Sequence, residues 1–420
     1  MVLWIGVDDT DSRRGGCTTY IAALLAKKLR EKGFKLIGYP RLIRLNPNCP
    51  FKTRGNAAIS LKVDAEKEDV KGLVKMVVEE NAELDEEGVE PGIAFIEEDP
   101  PEELRRFYWR ALREIVPLED GFKLAKKIGA ELIYYKGGRG VIGALAAIGA
   151  DLSIGRTYEL IAYRKREYWG TVRHIDPSSV YEMDEATKPL TFDNIDPESG
   201  EIRIAPHTPC PVLLGIRGVN PDVLMKAYKM LRIGEPVELV TIFETNQGTD
   251  AHLQPMKISQ LREGVNAIID GIVSERPRFE VGGHVFFKLS DGTGEVICAA
   301  YEPTKSFRHV VSKLIPGDEI AAYGAVKLKP QGLTLNLEKI YVKKLKPLLV
   351  RRPPNCPRCG RRMESAGAGK GFRCRRCGLR VGEELVEIFE APRGLKPGFY
   401  EVPPSARRHL SKPLSISSLH

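Results

Sequence analysis

The chain has 420 residues, 42% of them hydrophobic, and a formal charge of +8, so it is too long for one core and apolar enough for three or four globular domains. A secretory leader is not expected, because residues 1–7 lack a basic start and run straight into carboxylates. The uncharged stretch at 204–216 is too short to span a membrane and contains His207 and prolines, so the expected location is the cytoplasm, with no membrane partner.

The run LWIGVDDTDSRRGGCTTYIAALLAKKLREKG, residues 3–33, reads as strand, acidic turn and helix. Leu3, Trp4, Ile5 and Val7 form a β-favouring run that breaks at Asp8, Asp9 and Asp11. Ile21, Leu24, Leu25 and Leu29 recur at helical spacing, with Thr18 or Thr19 as the expected N-cap and Gly33 as the C′ residue. Carboxylates clustered at a strand end suit a hard cation such as Mg²⁺. Free N–H groups at the helix start suit phosphate.

LIGYPRLIRLNP reads as a second strand and GNAAISLKV as a third. Lys52, Arg54 and Asn56 in the connecting NPNCPFKTRGN are candidates to face phosphate or RNA. A valine stripe then marks a helix, and the acid-rich residues 79–103 read as solvated helix and linker. Leu104, Phe107, Tyr108, Leu112 and Ile115 form a core-facing helical stripe. Residues 130–150, AELIYYKGGRGVIGALAAIGA, repeat the strand, loop and helix plan. Gly137, Gly138, Gly140 and Gly143 would let backbone N–H groups approach a polyphosphate that Lys136 and Arg139 neutralise. The loop lacks the Lys-Ser/Thr of a Walker motif.

YELIAYR, CPVLLGIRG, PDVLMKAYKML and EPVELVTIFETN form an α+β unit punctuated by HTPCP and TNQGTDAH. Residues 265–345 hold five short strands with a helix after the third, the plan of an OB-fold. Phe286, Phe287, Tyr301 and Phe307 are candidate base stackers there.

Cys356, Cys359, Cys374 and Cys377 form two C-x₂-C knuckles separated by fourteen residues, the pattern of a structural zinc site. Residues 343–381 carry thirteen Lys or Arg against Glu364 alone. Arg358, Arg361, Arg362, Arg373, Arg375 and Arg376 are therefore expected to meet RNA phosphates. The Pro-, Arg- and Ser-rich end is expected to be a tail that orders on a partner.

VDDTD with the following GGCTT, NPNCPFKTRGN, KGGRGVIGALAA, HTPCPVLLGIRG and TNQGTDAH, ahead of an OB-like region and a four-cysteine ribbon, together resemble the archaeal 2-agmatinylcytidine synthetases of the minor isoleucine tRNA. The resemblance implies a multidomain α/β and α+β protein. Its parts would be a kinase-like ATP-binding domain at 1–160, a ferredoxin-like domain at 161–255, an OB-fold at 256–347, a zinc ribbon at 348–390 and a basic tail at 391–420. It implies ATP-driven joining of agmatine to the wobble cytidine of a CAU anticodon. Asp8, Asp9 and Asp11 would then serve Mg²⁺ and phosphate chemistry, and Thr18 would become phosphorylated. The stretch Lys136, Gly137, Gly138, Arg139, Gly140, Val141, Ile142 and Gly143 would cradle ATP. Agmatine would bind near the boundary with the ferredoxin-like domain and needs carboxylates or carbonyls, which Glu159, Glu182, Asp193 and His207 offer in that region. Two rivals are a phosphotransferase acting on another RNA or small molecule and a non-enzymatic RNA binder. The oligomeric state is not legible.

Overall fold

The computed structural model of the protein describes every residue except Arg54, Ile154, Leu419 and His420. Arg54, an expected RNA contact, thus lies outside the described residues.

The first part of the chain runs β1 (Val2–Asp8), α1 (Thr18–Glu31), β2 (Lys35–Leu36), β3 (Arg41–Arg44), β4 (Ala57–Asp64), α2 (Lys67–Asn81), β5 (Gly92–Glu97), α3 (Glu102–Arg113), α4 (Leu118–Ile128), β6 (Glu131–Tyr134) and α5 (Gly140–Ile148). β5 corrects the expectation of linker at 79–103: GIAFIE is flanked by acids on both sides, yet it pairs with β1 on one side and β6 on the other. The sequence then continues with β7 (Thr157–Arg164), α6 (Pro177–Thr187), β8 (Thr191–Phe192), β9 (Val212–Gly218), α7 (Pro221–Met230) and β10 (Val237–Thr245), a β-α-β-β-α-β unit of ferredoxin type.

These two parts share one ten-stranded sheet, ordered β6-β5-β1-β4-β3-β10-β7-β9-β8 with β2 on β4. They are joined in it by the parallel pairing of Glu244 and Thr245 with Arg41 and Leu42. Residue 160 falls inside β7, so no linker separates the parts there.

Helices cover both faces. Leu3, Ile5 and Val7 pack with α1 and α2, whereas Trp4 packs with α3 and α5, as strand alternation requires. In α1, Ile21, Leu25 and Leu29 are fully buried. Each contributes roughly 1.5–3 kcal/mol, which outweighs the lack of a cap from the N-cap residue's own side chain: the N-cap is Cys17, not Thr18 or Thr19. Of the α3 stripe, Leu104, Phe107, Tyr108 and Leu112 are buried, but Ile115 lies past the helix end and is exposed.

After β11 (Gln254–Pro255), the strands β12 (Asn266–Glu280), β13 (His284–Ser290), β14 (Glu295–Ala300), β15 (Glu319–Lys329) and β16 (Gly332–Lys344) close on themselves. β12 pairs with both β13 and β15, and α8 (Ser306–Val311) follows β14, which completes an OB barrel. Phe287 and Phe307 belong to its core and are not available as stackers. Phe286 is nearly buried too, edge-on to Tyr301 with ring centroids 5.9 Å apart.

The remaining strands are β17 (Leu349–Arg352), β18 (Glu364–Ser365), β19 (Phe372–Arg373), β20 (Arg380–Val381), β21 (Glu387–Glu390) and β22 (Gly398–Glu401). β18 to β20 form the small sheet of the ribbon.

The expected partner-dependent tail is ordered on the body. β22 pairs with β16, and the Leu410 side chain enters the core of Trp4, α3 and α5. The Leu410 carbonyl accepts from the N–H groups of Thr249 and Asp250. Composition rich in Pro, Arg and Ser conceals partners that lie in the same chain. No helix among the described residues is long and apolar enough to cross a membrane.

Candidate active site

Asp8 closes β1 on the face that carries α5. The helix approaches so tightly because the contacts lack side chains: a Cβ on Gly6 would lie 2.8 Å from the carbonyl carbon of Ala144, and one on Gly143 would lie 2.5 Å from Cγ of Asp8. Gly140 likewise packs on the backbone of Asp8 and Gly92.

This changes the role of the glycine stretch. Gly140, Val141, Ile142 and Gly143 are helical, and their glycines serve the neighbouring strands. The N–H groups of Gly138, Gly140, Val141 and Ile142 donate to the carbonyls of Tyr135, Glu90, Gly138 and Arg139, and that of Arg139 donates to the Glu90 carboxylate. They are therefore not the open phosphate cradle that the spacing suggests. Gly137 lies against Glu90, and Lys136 turns outward to the carbonyl of Glu86. Only Arg139, Ile142 and Gly143 of the stretch line the pocket.

The acidic turn divides its labour. Burial first, and the Asp9 charge next, hold the Asp8 carboxyl well above its ordinary range. Asp9 has a φ of 59°, and its Oδ2 accepts from the N–H of Glu90 at 3.3 Å. Burial, reinforced by the charges of Glu90 and Asp11, pushes it up to about 6. Asp11 points instead at the start of α1. Its Oδ1 accepts from the Thr18 N–H at 2.7 Å and from the Thr18 hydroxyl at 3.1 Å, while the Thr10 hydroxyl donates to Thr18 Oγ1 at 2.9 Å. A carboxylate seven residues upstream thus caps the N–H that was expected to be free for phosphate. Hydroxyl and carboxylate are thus in direct hydrogen-bond contact.

The turn is clasped by residues expected to be mere linker. Ser12 Oγ accepts from Gly15 and Gly16 N–H at 3.0 and 2.7 Å and donates to Glu83, and Arg14 reaches Asp85 at 2.7 Å and Glu86 at 3.1 Å. A run of acids beside a loop of Arg13 and Arg14 was the available signal.

The pocket brings together Asp8, Asp9, Asp11, Thr18 and Arg139. Its other wall is the segment after β3, with Asn46, Phe51, Lys52 and Asn56, and Glu114 beyond α3. The Arg139 guanidinium lies 4.0 Å from the centre of the Phe51 ring and donates to the Val116 carbonyl at 3.3 Å. Lys52, expected at RNA, therefore stands at this pocket, as does Asn56. Glu114 and Phe51 carry no sequence signal.

For a hard cation the donor chemistry fits, since Asp8 and Asp9 offer buried oxygens whose pKa is raised by burial and by each other's neighbourhood of acids. The three aspartates do not converge as one ligand set, however. Among the described residues, only the four cysteines bring three or more such ligand atoms within 4.8 Å of one another. Asp11 is drawn away by Thr18.

The four expected agmatine residues are not brought together. Glu159 is buried in β7 and accepts from Gln247 Nε2 at 2.5 Å. Asp193 is tied to Arg407 and lies 3.5 Å from Arg217. Glu182 is exposed and paired with Arg232 at 2.9 Å, and His207 has a 78% exposed side chain. Glu182 and His207 are hence surface groups: acids and histidines in a turn-rich segment default to solvent.

In the ribbon the cysteine Sγ atoms lie 3.5 Å apart between Cys356 and Cys377 and between Cys359 and Cys374. Each knuckle closes identically, Gly360 and Gly378 taking left-handed φ of 72° and 74° as their N–H groups return to Cys356 and Cys374. Four thiolates in that cluster fit tetrahedral Zn²⁺ with no open position. Arg358, Arg361, Arg362, Arg373, Arg375 and Arg376 are all exposed around it. Arg375 pairs with Glu364 at 2.5 Å, and Arg362 lies 3.9 Å from Glu387.

Family models match at 4–71 (TiaS TCKD domain), 138–252 (TiaS FLD domain), 267–343 (OB-fold nucleic acid binding domain) and 353–395 (TiaS C-terminal zinc ribbon domain). The tRNA 2-agmatinylcytidine synthetase TiaS of Methanocaldococcus jannaschii is 46% identical over 100% of both chains, and that of Pyrococcus horikoshii is 48% identical over 99% of this chain and 97% of its own. Among solved structures, a complex of TiaS with its isoleucine tRNA and ATP superposes with a TM-score of 0.89 at 43% identity, and one with the tRNA, AMPCPP and agmatine with 0.87 at 41%; each covers 99% of this chain and 97% of the other. With that likeness along its whole length, the chain belongs to the TiaS family of tRNA 2-agmatinylcytidine synthetases.

Proposed function

We propose that the protein joins agmatine to the 2-position of the wobble cytidine in the CAU anticodon of the minor isoleucine tRNA. ATP is converted to AMP and two phosphates, and the 2-agmatinylcytidine formed lets the anticodon read AUA. The observation that carries this reading is the likeness over 99–100% of the chain to proteins named for that product. A tRNA substrate places the reaction in the cytoplasm.

The site suits the chemistry. A pyrimidine 2-carbonyl is a poor electrophile. A phosphoryl group on its oxygen supplies a leaving group, which departs as phosphate while the agmatine amine forms the C–N bond and gives up protons. Asp11 accepts the proton as the Thr18 hydroxyl attacks the γ-phosphorus of ATP and ADP leaves, the hydrogen bond between the two residues being already made. Water then frees Thr18 and releases the first phosphate. Attack of the 2-carbonyl oxygen on the β-phosphorus of ADP expels AMP and phosphorylates the base, whose phosphate is the second to leave. Arg139 lies beside the aspartates, where it meets the charge on the transferred group. Asp8 and Asp9 would hold Mg²⁺, which when bound neutralises phosphate charge. Of the expected four, Glu159 would meet a cationic end of agmatine; what supports this is that it is buried and takes its hydrogen bond from the neutral Gln247 amide. The target base must be splayed from its loop to reach the pocket. Zn²⁺ stays structural, and the ribbon arginines grip phosphates. In this division residues 1–160 act as the kinase-like part, 161–255 as the ferredoxin-like part, 256–347 as the OB barrel and 348–390 as the ribbon.

The test is mass analysis of nucleosides from CAU-anticodon isoleucine tRNA incubated with the protein, ATP, Mg²⁺ and agmatine. An agmatine adduct on the wobble cytidine is expected. ATP consumed without an adduct would assign a phosphotransferase with another acceptor.

A further inference from the structure

Beside the acidic pocket lie two more clefts, and Lys52 lines all three. One runs between residues 47–52 and the barrel, where Lys327 of β15 faces it. The other runs between the end of β3 and the C-terminal segment, with Arg44, Arg408 and His409 on its walls. Among the described residues, Glu263 is the one carboxylate lining either cleft. The cations come from three separate parts of the fold.

Their own partners are few: Lys52 donates to the Pro47 carbonyl, and the charges of Glu159 and Asp11 act on Arg44 from outside these clefts. Arg44 Nε is buried with no hydrogen-bond partner among the described residues, and its Nη1 reaches the Gly55 carbonyl only at 3.5 Å. Arg408 lies 3.4 Å from Glu338 and donates to Asn48 Oδ1 at 3.2 Å. Burial, and then the charges of Arg408 and Lys327, hold the Lys52 ammonium below its ordinary range. Burial and Arg408 lower Lys327 as well, with Glu263 opposing. The Arg44 charge, with the further charges of Arg217 and Lys52, keeps His409 well below its own. Like charges assembled at such a cost mark a place that a polyanion relieves.

We infer that these joined clefts are the channel through which a single RNA strand reaches the pocket, with Arg44, Lys52, Lys327 and Arg408 holding the phosphates on either side of the reacting nucleotide. The inference rests on the proposed function and names where its RNA enters. ATP offers phosphates of the same chemistry. RNA is the better occupant because the cations line three adjoining clefts, on the barrel and the C-terminal segment as well as at the pocket, whereas the aspartates and Arg139 already mark the place for a transferred phosphoryl group.

The test compares the full-length protein with Lys327→Gln and with Lys52→Gln. Binding of a CAU anticodon stem-loop is followed by fluorescence anisotropy across salt concentrations, and binding of ATP by calorimetry without RNA. Each substitution is expected to weaken RNA binding by roughly three- to tenfold and to lower the slope of log K against log salt by about one. Lys327→Gln should leave ATP affinity as it was. Circular dichroism melts confirm that both variants fold. Unchanged RNA affinity and slope in both variants, while wild type still binds, would overturn the channel and leave the proposed function standing. Weakened ATP binding with unchanged RNA binding would do the same, assigning the cations to the nucleotide. A wild-type protein that binds no stem-loop would remove both.

Discussion

The acidic turn and the zinc ribbon both present a metal-ligand pattern in the sequence, and they assemble in different ways. In the ribbon each C-x₂-C knuckle is closed by its own backbone, so four sulfurs meet through local geometry and a short sheet. In the turn the three aspartates separate: Asp8 lies on α5, Asp9 faces Glu90, and Asp11 takes the start of α1. Spacing determines a site when the motif closes on itself. Where the walls come from distant segments, spacing gives the residue types and tertiary packing gives the roles.

The largest expected effect breaks the turn. Asp9→Asn should reduce agmatine conjugation by about a thousandfold or more, as removal of a group beside the transferred charge does, with RNA binding kept; nucleoside mass analysis and anisotropy check the two halves. Breaking the ribbon should act the other way. Cys374→Ser, or chelation of the metal, should unfold residues 353–395 and weaken RNA binding by roughly tenfold through lost phosphate contacts, while ATP affinity measured by calorimetry persists.

A smaller effect sharpens the contrast. Asp9 in the folded protein is raised from 3.8 to about 6, so the folded state binds more protons than the unfolded chain between those values. The contribution of Asp9 to the stability of the metal-free protein should therefore be full below about pH 4 and be lost as pH rises through 6. Added Mg²⁺ should offset the decline above pH 6, and conjugation should fall as pH drops below 6. Thermal melts with and without Mg²⁺, together with a pH–rate profile, measure this. The smallest effect is Glu182→Gln, expected to leave the KM for agmatine within about twofold, since an exposed pair with Arg232 contributes little.

Much of this was legible beforehand. β1, the acidic turn and α1 follow from a β-favouring run, a charge break and helical periodicity, and the ribbon follows from its cysteines. The OB barrel was visible in alternation and in a helix after the third strand. Three things were not. Whether Gly140 and Gly143 admit a phosphate or a neighbouring strand is decided by what packs against them, and here it is β1 and β5. β5 hides because acids on both sides dilute its apolar run. The clasp of Glu83, Asp85 and Glu86 on Ser12 and Arg14 spans about seventy residues of chain, beyond the reach of any local pattern.

The C-terminal segment bears on how the molecule comes together in time. Arg408 meets Asn48 across 360 residues of chain, Arg407 meets Asp193 across 214, and Ser411 meets Glu338 across 73. Contacts that close such long loops form late in folding, because the entropy of closure is spent before they stabilise anything. The ribbon, held by sulfurs fifteen and twenty-one residues apart, carries no such delay. Refolding from denaturant in the presence of Zn²⁺ should accordingly restore the ribbon first and the contacts of Arg408 last.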